Sequence, residues 1–209
     1  MKLYTHEMAP NPLRVNIFVR EKNIKLETVE LEFMEGELKT DEFSARNPMQ
    51  RIPVLELADG TYISESHAIC RYLEQMYPLH PLMGLLAKEQ ALIEMWNRRA
   101  EFNILGPAQH CLRHTSLAMA KLEVPQIEQW GEANRQRALE ALNVFDSQLA
   151  QNEFVAGDRF TIADITTYVA VNFLKPSKIP VPEKLENLNK WFQRVKKRES
   201  ISTKRTLAA

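Results

Sequence analysis

Asn47-Pro48-Met49-Gln50-Arg51-Ile52-Pro53-Val54-Leu55, followed by Glu65-Ser66, is the stretch on which the reading of this chain turns. A polar loop enters a proline that immediately precedes a short apolar strand. Proline at the mouth of a strand has no N–H to offer a ladder and rigidifies the turn before it. Twelve residues after Pro53, the acid–hydroxyl pair Glu65-Ser66 opens a helical pattern.

Strands and helices alternate around this segment. Lys2–Thr5 is a short apolar run, Leu13 to Glu21 carries helical spacing, Glu27–Leu31 alternates as a strand, and Thr40–Ala45 reads as a short helix. Val54–Leu57 and Thr61–Ile63 flank Asp59-Gly60, a dipeptide suited to a tight hairpin turn with positive φ. Ala68, Ile69, Tyr72, Leu73 and Met76 then form a helical stripe. The order βαβ–α–ββα is that of a thioredoxin-like α/β domain. We place this domain at residues 1–78, a breaker-rich linker at 79–84 and an all-α domain at 85–209. The helical domain shows four stripes: Ala91, Met95, Phe102 and Leu105; Ala138, Leu142, Phe145 and Leu149; Ile162, Ile165, Val169 and Phe173; Leu185, Leu188, Phe192 and Val195.

Bulk properties exclude several classes. The 209 residues hold 27 Lys and Arg against 27 Asp and Glu, so no net field draws nucleic acid to the chain. Met1 to Glu7 has no apolar core of signal-peptide length, and no long uncharged apolar run suggests a membrane partner. Cys70 and Cys111 lie far apart without C-x-x-C spacing, which argues against a disulfide scaffold or a metal site and suits a reducing, cytoplasmic location.

A second distant segment carries specific information. Thr161-Ile162-Ala163-Asp164 fits a capping box, with Phe160 and Ile165 at the positions of a hydrophobic staple, and it follows Val155-Ala156-Gly157-Asp158. Together with Ile52-Pro53 and Glu65-Ser66, these residues resemble the glutathione S-transferase family, in particular its cytosolic, bacterial-type members. The resemblance spans nearly the whole chain. It implies a cis peptide at Ile52–Pro53, with the Ile52 main chain left to pair with the extended cysteinyl part of glutathione as an added strand would. It implies an enzyme with glutathione as co-substrate and no bound cofactor, a small electrophile as second substrate, and a homodimer.

Each part of glutathione needs its own partner. Ser66, near a helix start, offers a hydroxyl and an N–H to the γ-glutamyl carboxylate, and Glu65 can meet the amine. The plainer alternative is that Ser64 or Ser66 caps the helix. The glycine carboxylate wants a cation: Lys39 lies where relatives often carry a basic residue, with Leu38 where many have histidine, and Arg51 could assist. Catalysis needs the thiolate, and lowering a thiol pKa from about 8.5 by about two units takes roughly 2.7 kcal/mol of preferential stabilisation. Many relatives place a serine, tyrosine or cysteine after the first strand for this. Here the loop is Met8-Ala9-Pro10-Asn11-Pro12, and the position matching the usual serine is Ala9. Asn11 is the next donor, and some fungal and bacterial relatives also carry Pro-Asn there. Alternatively, Asn11 and Pro12 form an N-cap and N1 pair; the two roles are compatible. Tyr4 reads as core, and Thr5 and His6 are weaker thiol partners.

Met8, Arg98 and Arg99 are the second-substrate candidates. Arg98 falls on the stripe from Ala91 to Leu105, where a charge needs a partner. It either joins an ion pair at an interface or lines the second-substrate crevice. Both cysteines read as inert core, and Arg194 to Arg205 as a solvated face and tail. The leading function is conjugation of glutathione to small electrophiles. A glutathione-dependent disulfide reductase or peroxidase, or a non-catalytic regulatory protein on the same fold, remain as alternatives.

Overall fold

Lys2–Thr5 (β1), Glu27–Glu30 (β2), Val54–Glu56 (β3) and Tyr62–Ser64 (β4) form one sheet in the order β2-β1-β3-β4. The structure, a computed structural model, describes residues 1–32 and 36–202. β1 runs parallel to β2 and antiparallel to β3, and β3 runs antiparallel to β4. Parallel strands need a crossover, which Pro10–Glu21 (α1) provides. Asp41–Arg46 (α2) and Ser66–Met76 (α3) complete the thioredoxin-like plan. Gly60 takes φ of 84° in the β3–β4 turn, as its Asp-Gly dipeptide predicts.

Buried Val15, Ile17, Phe18 and Val19 of α1, with Leu3, Leu55, Ile69 and Leu73, make the core of this first unit. One buried charge closes its end. Lys22 Nζ donates to Glu74 Oε2 at 2.7 Å and to the Leu79 and His80 carbonyls at 3.0 and 3.2 Å. These bonds satisfy an ammonium that would otherwise be costly to bury.

The chain divides into two compact units between Pro81 and Leu82. Glu199–Ser202 (α9) clusters with the first of them, whereas the sequence assigns everything beyond residue 84 to the second domain. Ser200 Oγ donates to Glu21 Oε1, which fastens α9 to the end of α1.

The second unit is helical: Ala87–Ala100 (α4), Gly106–Thr115 (α5), Glu128–Leu149 (α6), Ile162–Phe173 (α7) and Glu186–Lys196 (α8). Among the described residues, no helix is long and apolar enough to cross a membrane. The stripes of α6 and α7 mostly face inward, and α7 is buried from Ile162 to Val171. Of the first stripe only Leu105 is buried. Ala91 is exposed, Phe102 is 65% exposed, and the buried positions of α4 are Ile93, Trp96, Asn97 and Ala100. Two features invert the pattern. The inward Asn97 accepts a hydrogen bond from buried Thr166, so a polar residue occupies the core face. A π turn over Glu101–Leu105, closed by the Gly106 N–H on the Glu101 carbonyl, then moves the helix register on.

Arg98 consequently lies off the core face. It is half-buried and bonded on its own helix to Glu94 Oε1 at 2.7 Å and to Glu101.

Candidate functional site

The sheet register brings the candidate residues to one edge. Tyr4, Val54 and Ser64 are successive partners across β1, β3 and β4. The loop leaving β1, the proline entering β3 and the Glu65-Ser66 pair leaving β4 therefore share one end of the sheet. Ile52–Pro53 is cis. Ile52 packs half-buried against the cluster of Tyr4, Leu38, Phe43 and Val54. Leu38 is thus a core residue. It holds the short 3₁₀ turn Glu37–Lys39 against this cluster while Lys39 stays exposed.

Asn47, which the sequence reading passes over, builds the loop before the proline. It is 2% exposed; its Oδ1 accepts from the Met49 N–H at 3.0 Å and its Nδ2 donates to the Arg51 carbonyl at 2.7 Å. A buried amide that satisfies both of its ends locally sets the path of residues 48–51. The Arg51 side chain is exposed beside it.

Glu65 has φ of 67° and ψ of 112°, an uncommon conformation for a side-chain-bearing residue, and is exposed at the N-cap of α3. Ser66 is the first residue of that helix. Neither Ser64 nor Ser66 caps it. Ser66 Oγ instead accepts from Arg14 Nη1 at 2.8 Å. Arg14 is wholly buried and stands one turn along α1 from Asn11. The bond fixes the hydroxyl and sets a guanidinium charge behind the start of α3. The sequence signal for Arg14 was its position in an apolar helix, where a charge needs a reason.

At the start of α1 the structure corrects the capping assignment. The N-cap is Ala9, Pro10 is N1, and Asn11 is the second helical residue. Ala9 has no polar side-chain atom to cap with, and proline at N1 has no N–H to satisfy. Pro12 likewise has none, and the Leu13 N–H bonds the Ala9 carbonyl at 3.0 Å. Asn11 therefore supplies the only unspent main-chain N–H of this first turn among the described residues, with its side-chain amide released from capping. Both donors sit at the positive end of a twelve-residue helix.

The competing groups are engaged elsewhere. The Tyr4 hydroxyl donates to Glu56 Oε2 at 2.7 Å; burial and this carboxylate push its pKa up to about 12. Thr5 Oγ1 donates to Asn16 Oδ1, and His6 Nδ1 accepts the Met8 N–H. Burial raises the Cys70 thiol to about 12, with Arg14 opposing and Glu74 reinforcing, and burial raises Cys111 as well. Neither thiol is suited to attack. Met8 is 78% exposed on the loop.

In the second unit by itself, Arg99 lines a groove of about 810 Å³ with Phe102, His110, Trp130 and Arg137. Its guanidinium lies 4.6 Å from the Trp96 ring centre. Arg98 does not line this groove, and His110, unmarked by the sequence reading, does.

Residues 1–75 match the glutathione S-transferase N-terminal domain, and residues 104–199 match the C-terminal domain of the same family. Glutathione S-transferase 2 of Saccharomyces cerevisiae is 36% identical over 96% of this chain and 88% of its own length. The chain belongs to the glutathione S-transferase family and is a transferase enzyme. Among solved structures, a glutathione S-transferase domain-containing protein of Marinobacter aquaeolei is similar with a TM-score of 0.93 and 39% identity, covering 96% of this chain and all of that one. Gtt2 of Saccharomyces cerevisiae follows at 0.92 and 36%, covering 97% and 99%.

Proposed function

We infer that this protein joins the thiolate of glutathione to small electrophiles, with Asn11 as the group that stabilises the thiolate. The observation that carries this is the first turn of α1, where two prolines leave Asn11 as the available donor at a helix N-terminus. Donors fixed where negative charge must be held favour the charged form without reorganisation. The Ile52 main chain takes the cysteinyl segment, Ser66 and the α3 N-terminus take the γ-glutamyl carboxylate, and Glu65 takes its amine. Lys39 and Arg51 serve the glycine carboxylate. The proline before β3 is Pro53, and it keeps the Ile52 edge clear of the ladder.

Met8 and Arg99 are the second-substrate residues of this reading, and Arg99 selects for anionic or polar groups. The assembly that goes with it is a cytoplasmic homodimer, which sedimentation equilibrium checks.

Calorimetric titration with reduced glutathione in two buffers of different ionisation heat tests the proposal. Saturable binding with proton release near pH 7 is expected. Binding without proton release would remove thiolate activation from the reading. Ser66→Ala is expected to weaken glutathione binding about tenfold, the size of one charge-assisted hydrogen bond, and to leave turnover at saturation within about twofold. Equal binding by wild type and variant would assign Ser66 to the Arg14 contact alone.

A further inference from the structure

Arg20, like Arg14, is a charge that α1 keeps almost out of water. Its side chain is 8% exposed and follows the buried residues Ile17, Phe18 and Val19. A guanidinium so placed is costly without a fixed partner. That partner is Glu7, to which Arg20 Nη2 donates, while Nη1 donates to the Ser200 carbonyl of α9 at 3.5 Å. All three residues belong to the first unit. Asn16 Nδ2 reaches the same Glu7 Oε1 at 3.5 Å, and Asn16 Oδ1 accepts from Thr5 Oγ1 at 3.1 Å. One carboxylate is therefore held from two positions of α1, with β1 and α9 bracing the groups that hold it.

The place of Glu7 in the chain gives this clamp a chemical meaning. Glu7 stands two residues before Ala9, the N-cap of α1. The first turn of that helix has no acid of its own, and its prolines leave the Asn11 N–H unspent. A carboxylate so near in sequence is the kind of group such a terminus attracts, because the dipole and the open N–H both favour an anion. Left loose, Glu7 would be free to fold onto the donor that a thiolate needs. Instead it is drawn back along the helix. Asn16 stands about 7.5 Å beyond Asn11 along the axis, and Arg20 about 13.5 Å.

The other charged groups around the loop are placed differently. Glu30 of β2 accepts the Glu7 main-chain N–H at 3.4 Å, and His6 lies 3.8 Å from Glu32. Glu21 accepts from Ser200 Oγ and so belongs to the fastening of α9.

We propose that Arg20 is a positioning residue for the thiol chemistry: it holds Glu7 off the α1 N-terminus and keeps that terminus open to the glutathione thiolate. This rests on the role proposed above for the start of α1 toward glutathione. Glu7 is then a competitor built into the loop. Released, its charge raises the pKa of a thiol bound beside it; paired with Arg20, it leaves that pKa low.

The test follows thiolate absorbance with pH in the full chain saturated with reduced glutathione, alongside the pH profile of kcat for an activated aryl halide. Arg20→Gln is expected to raise the bound thiol pKa by about one unit, so that kcat falls about tenfold on the acid limb and recovers on the alkaline limb. Glu7→Gln keeps an oxygen for Arg20 and removes the charge, and should leave the thiol pKa at or below the wild-type value. In the double variant the competitor is gone, and the acid-limb rate should return to within about twofold of wild type. A clamp that only stabilised the fold would lower the rate equally at every pH, with no rescue by the second substitution; either result overturns the proposal. Glu7 has a side chain 38% exposed, so its variant reports even where Arg20→Gln is unstable, and a raised thiol pKa in Glu7→Gln overturns the proposal as well. If wild type ionises its glutathione and Arg20→Gln leaves the thiol pKa unchanged, this proposal alone falls. If wild type binds glutathione without ionising it, the thiolate reading of Asn11 falls and this one with it.

Discussion

Asp164→Ala is expected to lower stability by about 3–6 kcal/mol and the melting temperature by roughly 10–20 °C. The carboxylate is wholly buried, and it holds three parts of the second unit at once. Oδ2 accepts the Thr161 N–H at 3.0 Å, and Thr161 Oγ1 accepts the Ala163 N–H at 3.3 Å, which completes the capping box of α7. Oδ1 accepts the Val155 N–H at 2.9 Å from the preceding loop and Trp191 Nε1–H at 3.0 Å from α8. Alanine leaves these three buried N–H donors without acceptors, at about 1–3 kcal/mol each. Thermal unfolding of the purified variant reads the effect; a loss under about 1 kcal/mol would show that water replaces the carboxylate and that the network contributes little.

The same carboxyl gives that measurement a pH signature. Burial raises its pKa from 3.8 to about 6, against the hydrogen bonds, which pull it down. The folded state then binds more protons than the unfolded chain between about pH 4 and 6, so this group's contribution to stability falls as pH rises through that interval. The cost of the buried charge is fully present above about pH 6. Asp164→Ala removes it, so the gap between wild type and variant should be wider at pH 4 than at pH 7. A gap that widens toward pH 7 would mean that the hydrogen bonds outweigh burial and hold the carboxyl ionised in acid.

Asp164 was legible in the sequence because its role is local. A threonine, an acid three residues on and two flanking apolar residues specify a cap through contacts within one helical turn. The α/β order was legible for a similar reason: period-2 runs, an Asp-Gly turn and a proline before a strand are short-range signals. Two things were not. The core face of α4 was misassigned because its inward position is Asn97, paired across the unit with Thr166, while Phe102 faces out; periodicity registers polarity and cannot see a partner 69 residues away. The start of α1 was placed two residues late because Asn-Pro is a stronger capping signal than Ala-Pro, yet the chain begins the helix at Pro10. Arg14 on Ser66 is the same kind of long-range fact. Local grammar therefore located the edge of the site, while the groups behind it needed the fold.

That shift at α1 sharpens the second large expectation. Asn11→Ala should lower kcat for conjugation of an activated aryl halide by roughly 10²-fold, with the KM for glutathione changed about twofold or less. Were Asn11 the N-cap, the same change would cost about 1 kcal/mol of stability. With Ala9 at the cap and no cap bond from the asparagine, the melting temperature should hold within a degree or two. The side-chain amide is only one of two donors at that residue, since the main-chain N–H survives in alanine. Some thiolate stabilisation should therefore remain, and the pKa of bound glutathione should rise without returning to the value of about 8.5 for a free thiol. Titrating the thiolate absorbance of the binary complex measures this directly. A variant with wild-type kcat and an unshifted thiol pKa would take catalysis away from the side chain and leave it to the helix N-terminus. A variant that loses stability instead would restore the capping role and make Asn11 a folding residue. Asn11→Asp sets the sign: a carboxylate beside a thiolate should push the bound thiol upward further than alanine does, because it replaces a donor with a like charge.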